Sequence, residues 1–594
     1  MGYDANIMEI AGKIAKDCQG THPSFCTARC PMHTDATGYV KLIGENKLSD
    51  AVLKIREKVF LPGTLGRICA HPCETDCRRE SEYHQPIAIA ALKRFAADKA
   101  DDEKLWDASR KPASGKKAAI IGAGPAGAQA AIDLAKEGHE VTVYEKLPHV
   151  GGMMRVGIPE YRLPRRVIDF EYTYLSKLGI KVQLGVEVGK DVSFDDLVKN
   201  NDVVIVANGA HKGFVPPVKG SECAGVTNAA DFLRDVSLRK FKAGAGKNYI
   251  IIGGGDVAMD CARSALRLGA EKVALVSLEK SEQLPASKHE QEGALEEGIE
   301  FHCGWGVEEV LNSDGNVSGI KLKECVSVFG ADGKFNPSYG IQTKEMSCDT
   351  LVFATGQLVQ DVTGGKLQQG GGGRYASDKQ TMKTAIDKVF VAGDCAGATI
   401  VVEAMALGRK AAISANRFLA GRDLLSERDI DSEWHFKSTL DIPLPADAAD
   451  LPRKHTRMLD PKERVKSFVE CDLGFDSAAA TEESKRCFEC ECKKCMTECI
   501  MLNDFTLYPG ELFQKFLQDG NFEPLIAYSC NMCDQCTLVC PKEFKFAELF
   551  GAFRKEMVKA NGGESPMPGH KAIKMHQKLG FSKFFTVRMK GGKK

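Results

Sequence analysis

Apolar positions through the middle of the chain come in short buried-looking runs separated by longer amphipathic stretches. Ala118 to Ile121 is one such run, an Ala-rich helical stretch follows to about Lys136, and Val141 to Tyr144 is a second run. Further runs are DVVIVANGA (Asp202 to Ala210), NYIII from Asn248, KVALV from Lys272, DTLVFATGQ (Asp349 to Gln357) and KVFVAGD from Lys388. Buried strands alternating with helices predict α/β domains built on parallel sheets. The two ends lack this alternation. Stretches such as PIAIAALKRFAAD (Pro86 to Asp98) and ELFQKFLQ (Glu511 to Gln518) read as helices, so both ends are expected to be helical. Residues 422–470 carry charge and prolines with little periodicity and read as a linker.

Two strand–helix junctions carry glycine fingerprints. In the first, Gly122, Gly124 and Gly127 form G-x-G-x-x-G, with Pro125 and Ala126 between them. Gly122 suits the tight turn, Gly124 the approach of a pyrophosphate, and Gly127 close packing of helix on strand. The helix N-terminus offers N–H groups to phosphates, and Glu145, at the end of the second strand, is placed to accept from a ribose. The second fingerprint is Gly253, Gly254, Gly255, Asp256 and Val257, with Ala258 in the third glycine's place.

Charge narrows the function classes. The 594 residues carry 80 basic and 80 acidic side chains, so no global field favours nucleic acid. The start MGYDANIMEI has no basic n-region or apolar core, and no stretch suits a membrane span. A cytoplasmic protein without membrane insertion is expected. The basic run Lys583 to Lys594 suits an acidic partner or a solvated tail.

The 22 cysteines change the picture more. Cys18, Cys26, Cys30, Cys69, Cys73 and Cys77 gather near the N-terminus, and a second crowd runs from Cys487 to Cys540. In a reducing compartment such spacing points to metal rather than disulfides. CNMCDQCTLVCP (Cys530, Cys533, Cys536, Cys540, Pro541) is a [4Fe-4S] run in which the fourth cysteine crosses to another cluster. RCFECECKKCMTEC supplies Cys487, Cys490, Cys492, Cys495 and Cys499. Cys499 is therefore expected with Cys530, Cys533 and Cys536. Cys540 is expected with Cys492, Cys495 and either Cys490 or Cys487. A zinc ribbon is the alternative. Cys261 stands alone, so no C-x-x-C accompanies the dinucleotide domains and a disulfide reductase is disfavoured.

FCTARCP, GRICAHPCETDC and the helix after them resemble the N-terminal domain of the glutamate synthase small subunit, shared with dihydropyrimidine dehydrogenase and the NADH-dependent ferredoxin:NADP oxidoreductase large subunit. That family holds two [4Fe-4S] clusters there. This chain departs from it: Thr21 stands where a second early cysteine falls, and Lys93 where relatives carry a Glu or Gln ligand. At least one cluster is expected, on Cys30, Cys69 and Cys73 with Cys26 or Cys77. A second would need an unusual ligand, with His22, His33 and His71 nearby.

The resemblance covers residues 15 to 420 and implies an FAD domain interrupted by a nicotinamide domain. GGMMRVGIPEYRLP (Gly151 to Pro164) is similar to the family's flavin loop. The resemblance places Gly122, Gly124, Pro125, Ala126, Gly127, Glu145, Lys146, Gly152, Met153, Arg155, Gly157, Ile158 and Arg162 at FAD. It adds Ala207, Gly209, Thr355, Gly356, Gly393, Asp394, Thr399 and Val401. Asp394 matches a ribitol-binding Asp, and the helix near Val401 aims its N-terminus at the isoalloxazine. Relatives that use NADPH place arginines after the strand where this chain has Ser277-Leu278-Glu279, so Glu279 predicts NADH over NADPH.

The expected order begins with a helical iron–sulfur domain (1–113) and the first stretch of the FAD domain (114–215). An inserted NAD(H) domain (216–345) and the returning stretch of the FAD domain (346–421) come next. The linker (422–470) and a helical two-cluster ferredoxin-like domain (471–594) follow. The expected function is hydride exchange between NADH and FAD, then single-electron transfer through [4Fe-4S] clusters to or from ferredoxin or another redox subunit. A glutamate synthase small subunit proper and a non-catalytic relay subunit are the alternatives. No constellation of side chains demands a general acid or base.

Overall fold

The computed structural model describes residues 3–240, 246–426, 428, 438 and 440–582. The basic run Lys583 to Lys594 lies outside them. The chain divides into two compact units, one of Arg29–Phe436 with Leu451–Cys487, the other of Met1–Ala28, Lys437–Asp450 and Phe488–Lys594.

The larger unit holds two parallel five-stranded sheets. In the first, the strand order is Val389–Val391, Val203–Val206, Lys117–Ile121, Glu140–Glu145, Lys181–Leu184. Val203 to Val206 are wholly buried, as a central parallel strand covered on both faces requires. Helices Pro125–Lys136 and Val401–Leu419 pack together over this sheet. Gly408 makes that approach possible: a Cβ there would stand 2.2 Å from the Ala126 carbonyl. The second sheet orders Val226–Asn228, Thr350–Phe353, Asn248–Ile252, Lys272–Ser277, Glu300–Cys303, with an antiparallel three-stranded sheet (residues 305–347) against it. One dinucleotide-type domain is thus inserted in the other.

One strand differs from the sequence reading. DTLVFATGQ was expected to return the chain to the first sheet, but Thr350–Phe353 pairs in parallel with Asn248–Ile252 and Val226–Asn228 in the second. The chain rejoins the first sheet only at Val389–Val391. A four-residue apolar run with a small-residue turn fits either sheet, so its pattern does not say which one it closes.

Helices Ala36–Gly44, Leu48–Arg56, Pro62–Ile68 and Ile89–Ala100 form an α-helical subdomain of the larger unit. It is pinned to the first sheet's helix Arg165–Lys177 by Glu171, which accepts from the Gly63 amide (2.5 Å) and the Thr64 hydroxyl (2.5 Å). A buried charge network joins the flavin loop, the second sheet's helices and the segment after Leu451. Arg162 pairs with Asp260 (2.7 Å) and Glu290 (2.8 Å). Glu297 receives Arg263 (2.8 Å), Arg267 (2.7 Å) and Arg464 (2.7 Å). Arg267 also lies over the Tyr161 ring, 3.9 Å from its centroid.

The smaller unit is helical. Helix Ala5–Asp17 buries Ile7, Ala11 and Ile14 against Leu512, Phe513 and Phe516 of helix Pro509–Asp519. Phe522 and Phe553 stack at 4.1 Å between centroids in the same core. The first helix of the chain therefore packs with the C-terminal helices. No helix among the described residues is long and apolar enough to cross a membrane.

Candidate dinucleotide cleft and thiol groups

The first fingerprint folds as its spacing demands. Gly122 has φ +104°, and a Cβ on it would meet the Ala207 carbonyl at 2.4 Å. A Cβ on Gly127 would stand 2.0 Å from the Gly122 carbonyl, so the helix lies directly on the turn. Gly124 has nothing within 4 Å of its Cβ position, which leaves the helix N-terminus open to a phosphate. The second fingerprint repeats this: Gly253 would meet Ala354, Gly255 faces open space, and Ala258 is fully buried in the third place.

A cleft of about 1080 Å³ runs along the first fingerprint. Of the residues expected at FAD, Gly122, Gly124, Pro125, Ala126, Glu145 and Lys146 line it, as do Gly152, Met153, Gly157, Ile158 and Arg162. Ala207, Gly209, Gly393, Asp394, Thr399 and Val401 line it too. Gly127, Arg155, Thr355 and Gly356 do not. Arg155 instead supports the loop, donating to the Val150 carbonyl (2.8 Å) and pairing with Asp169. Thr355 donates to the Phe214 carbonyl (3.3 Å). Glu145 already accepts the amides of Ala123 (2.7 Å) and Leu147 (2.9 Å), so it braces the fingerprint as well as facing the cleft. Burial pushes its carboxyl up.

Asp394 stands on the short turn after Val389–Val391, and burial pushes its carboxyl up to about 6. Helix Val401–Leu419 presents its N-terminus to the cleft, adding a positive dipole end. Two polar atoms there have no partner: Asn208 Oδ1 and His211 Nδ1 are buried. Burial, with Lys146 and Arg234 nearby, takes the His211 imidazole down to about 3, so it is neutral. An open glycine cradle, a helix N-terminus and unpaired buried polar atoms fit a bound flavin dinucleotide. Asn208 lies inside DVVIVANGA, between two residues expected at FAD, but was not itself among those expected; His211 lies just beyond it, where spacing gave no signal.

For the second dinucleotide, Asp256 and Val257 reach the same cleft, whereas Gly253, Gly254, Gly255 and Glu279 do not line it. Asp256 accepts from the Ser287 amide (2.8 Å) and hydroxyl (2.9 Å). Glu279 lies beside the fingerprint, its Oε2 3.0 Å from where a Cβ on Gly254 would be.

The loop Gly66–His71, including Cys69, also lines the cleft. The thiol of Cys69 is acted on by that of Cys30, and that of Cys73 by both. Burial pushes Cys69 up, while the buried Lys93 cation pulls it down. Burial, then Cys30 and Cys69, push Cys73 well up. Cys69 accepts from the His71 amide (3.3 Å). Cys77 instead precedes helix Arg78–Tyr83, and Cys26 lies 3.4 Å from the Ser24 hydroxyl. Cys471, outside the two cysteine crowds, is buried against Arg267 (3.3 Å).

In the smaller unit the thiols form two groups. Burial, then Cys499 and Cys530, push Cys536 up to about 11, and Cys533 acts on Cys530. Burial, then Cys18, Cys492 and Cys540, push Cys495 up to about 12. Among the described residues no set of three or more His, Cys, Asp or Glu side chains closes on a single metal ion. A cubane spreads one thiolate to each iron, so groups of four cysteines around a larger body are what it requires.

Fold and cleft define a two-dinucleotide flavoprotein with cysteine-rich helical ends. The family profile described as pyridine nucleotide-disulphide oxidoreductase matches residues 116–412. That of dihydropyrimidine dehydrogenase domain II, 4Fe-4S cluster, matches 4–105, and that of a 4Fe-4S dicluster domain matches 486–545. The NADP(+)-dependent formate dehydrogenase subunit beta of Moorella thermoacetica is 36% identical over 78% of this chain and 70% of its own length. The NADPH-Fe(3+) oxidoreductase subunit beta of Geobacter sulfurreducens is 32% identical over 78% and 75%. The glutamate synthase [NADPH] small chain of Azospirillum brasilense is 32% identical over 68% and 88%. The chain belongs to the glutamate synthase small-subunit-like family of iron–sulfur FAD/NAD(P) oxidoreductases.

Proposed function

We propose that this chain is the NADH-oxidising subunit of a larger redox assembly, passing electrons between NAD(H) and a ferredoxin or a partner oxidoreductase subunit. One observation carries the reading: a single cleft is lined both by the flavin fingerprint and by the Cys69 loop. When bound, FAD supplies hydride exchange with the nicotinamide and the clusters supply one-electron transfer. The chain's own residues bind and orient. Gly122 and Gly124 would leave room for the FAD pyrophosphate, Glu145 would accept from a ribose hydroxyl, and Asp394 with the Val401 helix N-terminus would hold the flavin part. The Cys69 loop would hold a cluster-ligating thiolate at the wall of the same cleft. The relatives named above are subunits of complexes, which supports a partner subunit here.

Glu279 underlies the preference for NADH. A carboxylate beside Gly254 accepts hydrogen bonds from a free 2′-hydroxyl and repels a 2′-phosphate. The names of the relatives carry NADP(H), so the two cofactors are compared directly. The experiment is anaerobic purification with native partners, then kcat/KM for NADH and NADPH with ferredoxin or viologen as acceptor. NADH should be preferred, and Glu279→Ser should narrow the preference by about tenfold, 1.4 kcal/mol. A wild-type enzyme that prefers NADPH refutes the NADH assignment. A protein without flavin absorbance refutes the catalytic reading.

A further inference from the structure

The two cysteine runs of the C-terminal region are not equivalent. In the second, Cys530, Cys533, Cys536 and Cys540 stand at regular three- and four-residue steps. Reading the first run back from Cys499 gives Cys495, then Cys492, then Glu489 where the next thiol belongs. Cys490 and Cys487 flank that place but do not occupy it.

The structure supplies another thiol. Cys18, Cys492, Cys495 and Cys540 line one small pocket, whose walls contain neither Cys487 nor Cys490. Cys18 is there because of how the N-terminal helix packs. The buried stripe of Ile7, Ala11 and Ile14 fixes helix Ala5–Asp17 on Pro509–Asp519, and Cys18 caps its C-terminus, its amide donating to Ile14 (3.0 Å). Two glycines let the chain come close. A Cβ on Gly510 would stand 2.8 Å from the Cys18 Cβ, and one on Gly20 2.3 Å from the Tyr508 ring. The amides of Gly20, Gly510 and Thr21 are directed at the Cys18 sulfur, an arrangement that favours a thiolate and tunes a ligated one.

We propose that Cys18 is the fourth thiolate of the cluster held by Cys492, Cys495 and Cys540, so that the N-terminal helix completes a site otherwise built at the other end of the chain. The inference rests on the dicluster reading of residues 486–545. It also removes Cys18 from the N-terminal group, leaving Cys30, Cys69, Cys73 and Cys77 of the larger unit for the flavin-side centre. Cys487 and Cys490 then stand outside both C-terminal ligand sets.

The test uses the full chain purified anaerobically with its FAD, comparing Cys18→Ala, Cys18→Ser, Cys490→Ser, Cys487→Ser and Cys530→Ser. Iron, acid-labile sulfide, flavin, circular dichroism and the electron paramagnetic resonance of oxidised and reduced protein are measured. Cys18→Ala is expected to lose about four irons per chain, or to convert one centre to a three-iron form with a signal in the oxidised state. Flavin and helix content should stay as in the wild type, and Cys18→Ser, keeping a weaker oxygen ligand, should retain a centre with altered g-values. Cys490→Ser and Cys487→Ser should keep full iron. Wild-type iron and spectra in both Cys18 variants, with loss in Cys490→Ser or Cys487→Ser, overturn the assignment. Unchanged iron in Cys530→Ser as well overturns the dicluster reading itself, and the assignment with it.

Discussion

Replacing Glu297 by Gln should loosen the segment that carries Arg464 within the larger unit. The Glu297 side chain is fully buried, as are those of Arg267 and, to within 1%, Arg464. Burial alone would push this carboxyl up, but hydrogen bonds and charge from Arg267 and Arg263 hold it down at about 2. A fall from 4.5 to about 2 is worth about 3.4 kcal/mol. Removing one partner of a buried pair costs roughly 3–5 kcal/mol, so the two routes agree. The sign follows from the lowered folded value: the stabilisation is fully present above pH 4.5 and is lost as pH falls through about 2. At neutral pH Glu297→Gln therefore bears the whole cost and leaves a buried positive charge uncompensated. Because the chain has two units, transition midpoints are the proper observable rather than one unfolding free energy. The flavin-fluorescence midpoint in urea should fall by up to about 1 M, since the slope of so large a unit is at or above the top of the roughly 1–3 kcal/mol per M of small proteins. Trypsin should cut near Lys462 and Lys466 sooner than in wild type. In a double-mutant cycle, Glu297→Leu with Arg464→Met should cost less than the two single changes together. An unchanged midpoint and unchanged proteolysis in Glu297→Gln would refute the role of the network.

The two fingerprint glycines should fail differently. Gly127→Ala overpacks the turn, costing about 1–3 kcal/mol of fold stability and the flavin with it. Gly124→Ala meets no protein atom, so its melting curve without FAD should match wild type while FAD affinity drops at least about tenfold. Asp394 gives a pH signature. Its folded value of about 6 against 3.8 means stability present below pH 3.8 is lost as pH rises through about 6, about 3 kcal/mol in all. Asp394→Asn should flatten the melting temperature of FAD-free protein across that window, and an unflattened profile counts against it. Lys93→Gln removes the cation beside Cys69. The flavin-side centre's potential should move negative by on the order of 60 mV in a redox titration, and no shift would separate Lys93 from that centre.

Much of the fold was legible because its strands obey a local rule. Ala118 to Ile121, Val203 to Val206 and Tyr249 to Ile252 are apolar on both faces, and each ends in a small-residue turn at the cleft or at a fingerprint. What local rules do not contain is pairing. Thr350–Phe353 has the same signature as Val203–Val206, yet it closes the other sheet, since register is decided by which neighbours its side chains pack against. The association of helix Ala5–Asp17 with Pro509–Asp519 is equally invisible locally. Both helices show an apolar stripe, and a stripe states that a face is buried without naming its partner.

The candidate site divides along the same line. Glycine spacing pointed to much of the cleft lining because each glycine answers to a backbone constraint a few residues away. His211 and the Cys69 loop were missed as cleft residues because tertiary packing alone brings them there. Cysteine spacing sits between these cases. Within a run, spacing is geometry: Cys530, Cys533 and Cys536 lie close enough along the chain that one turn of backbone aims them together, and they gather with Cys499. Across runs, spacing only counts. It leaves a gap at Glu489 and offers Cys490 and Cys487 as neighbours in sequence, whereas the packed stripe of the first helix delivers Cys18 as a neighbour in space. A ligand set that closes through the hydrophobic core in this way makes docking of that helix a condition of cluster assembly. Ile14→Asp, which removes no thiol, should then lower iron content as Cys18→Ala does, and normal iron in that variant would break the link between core and cluster.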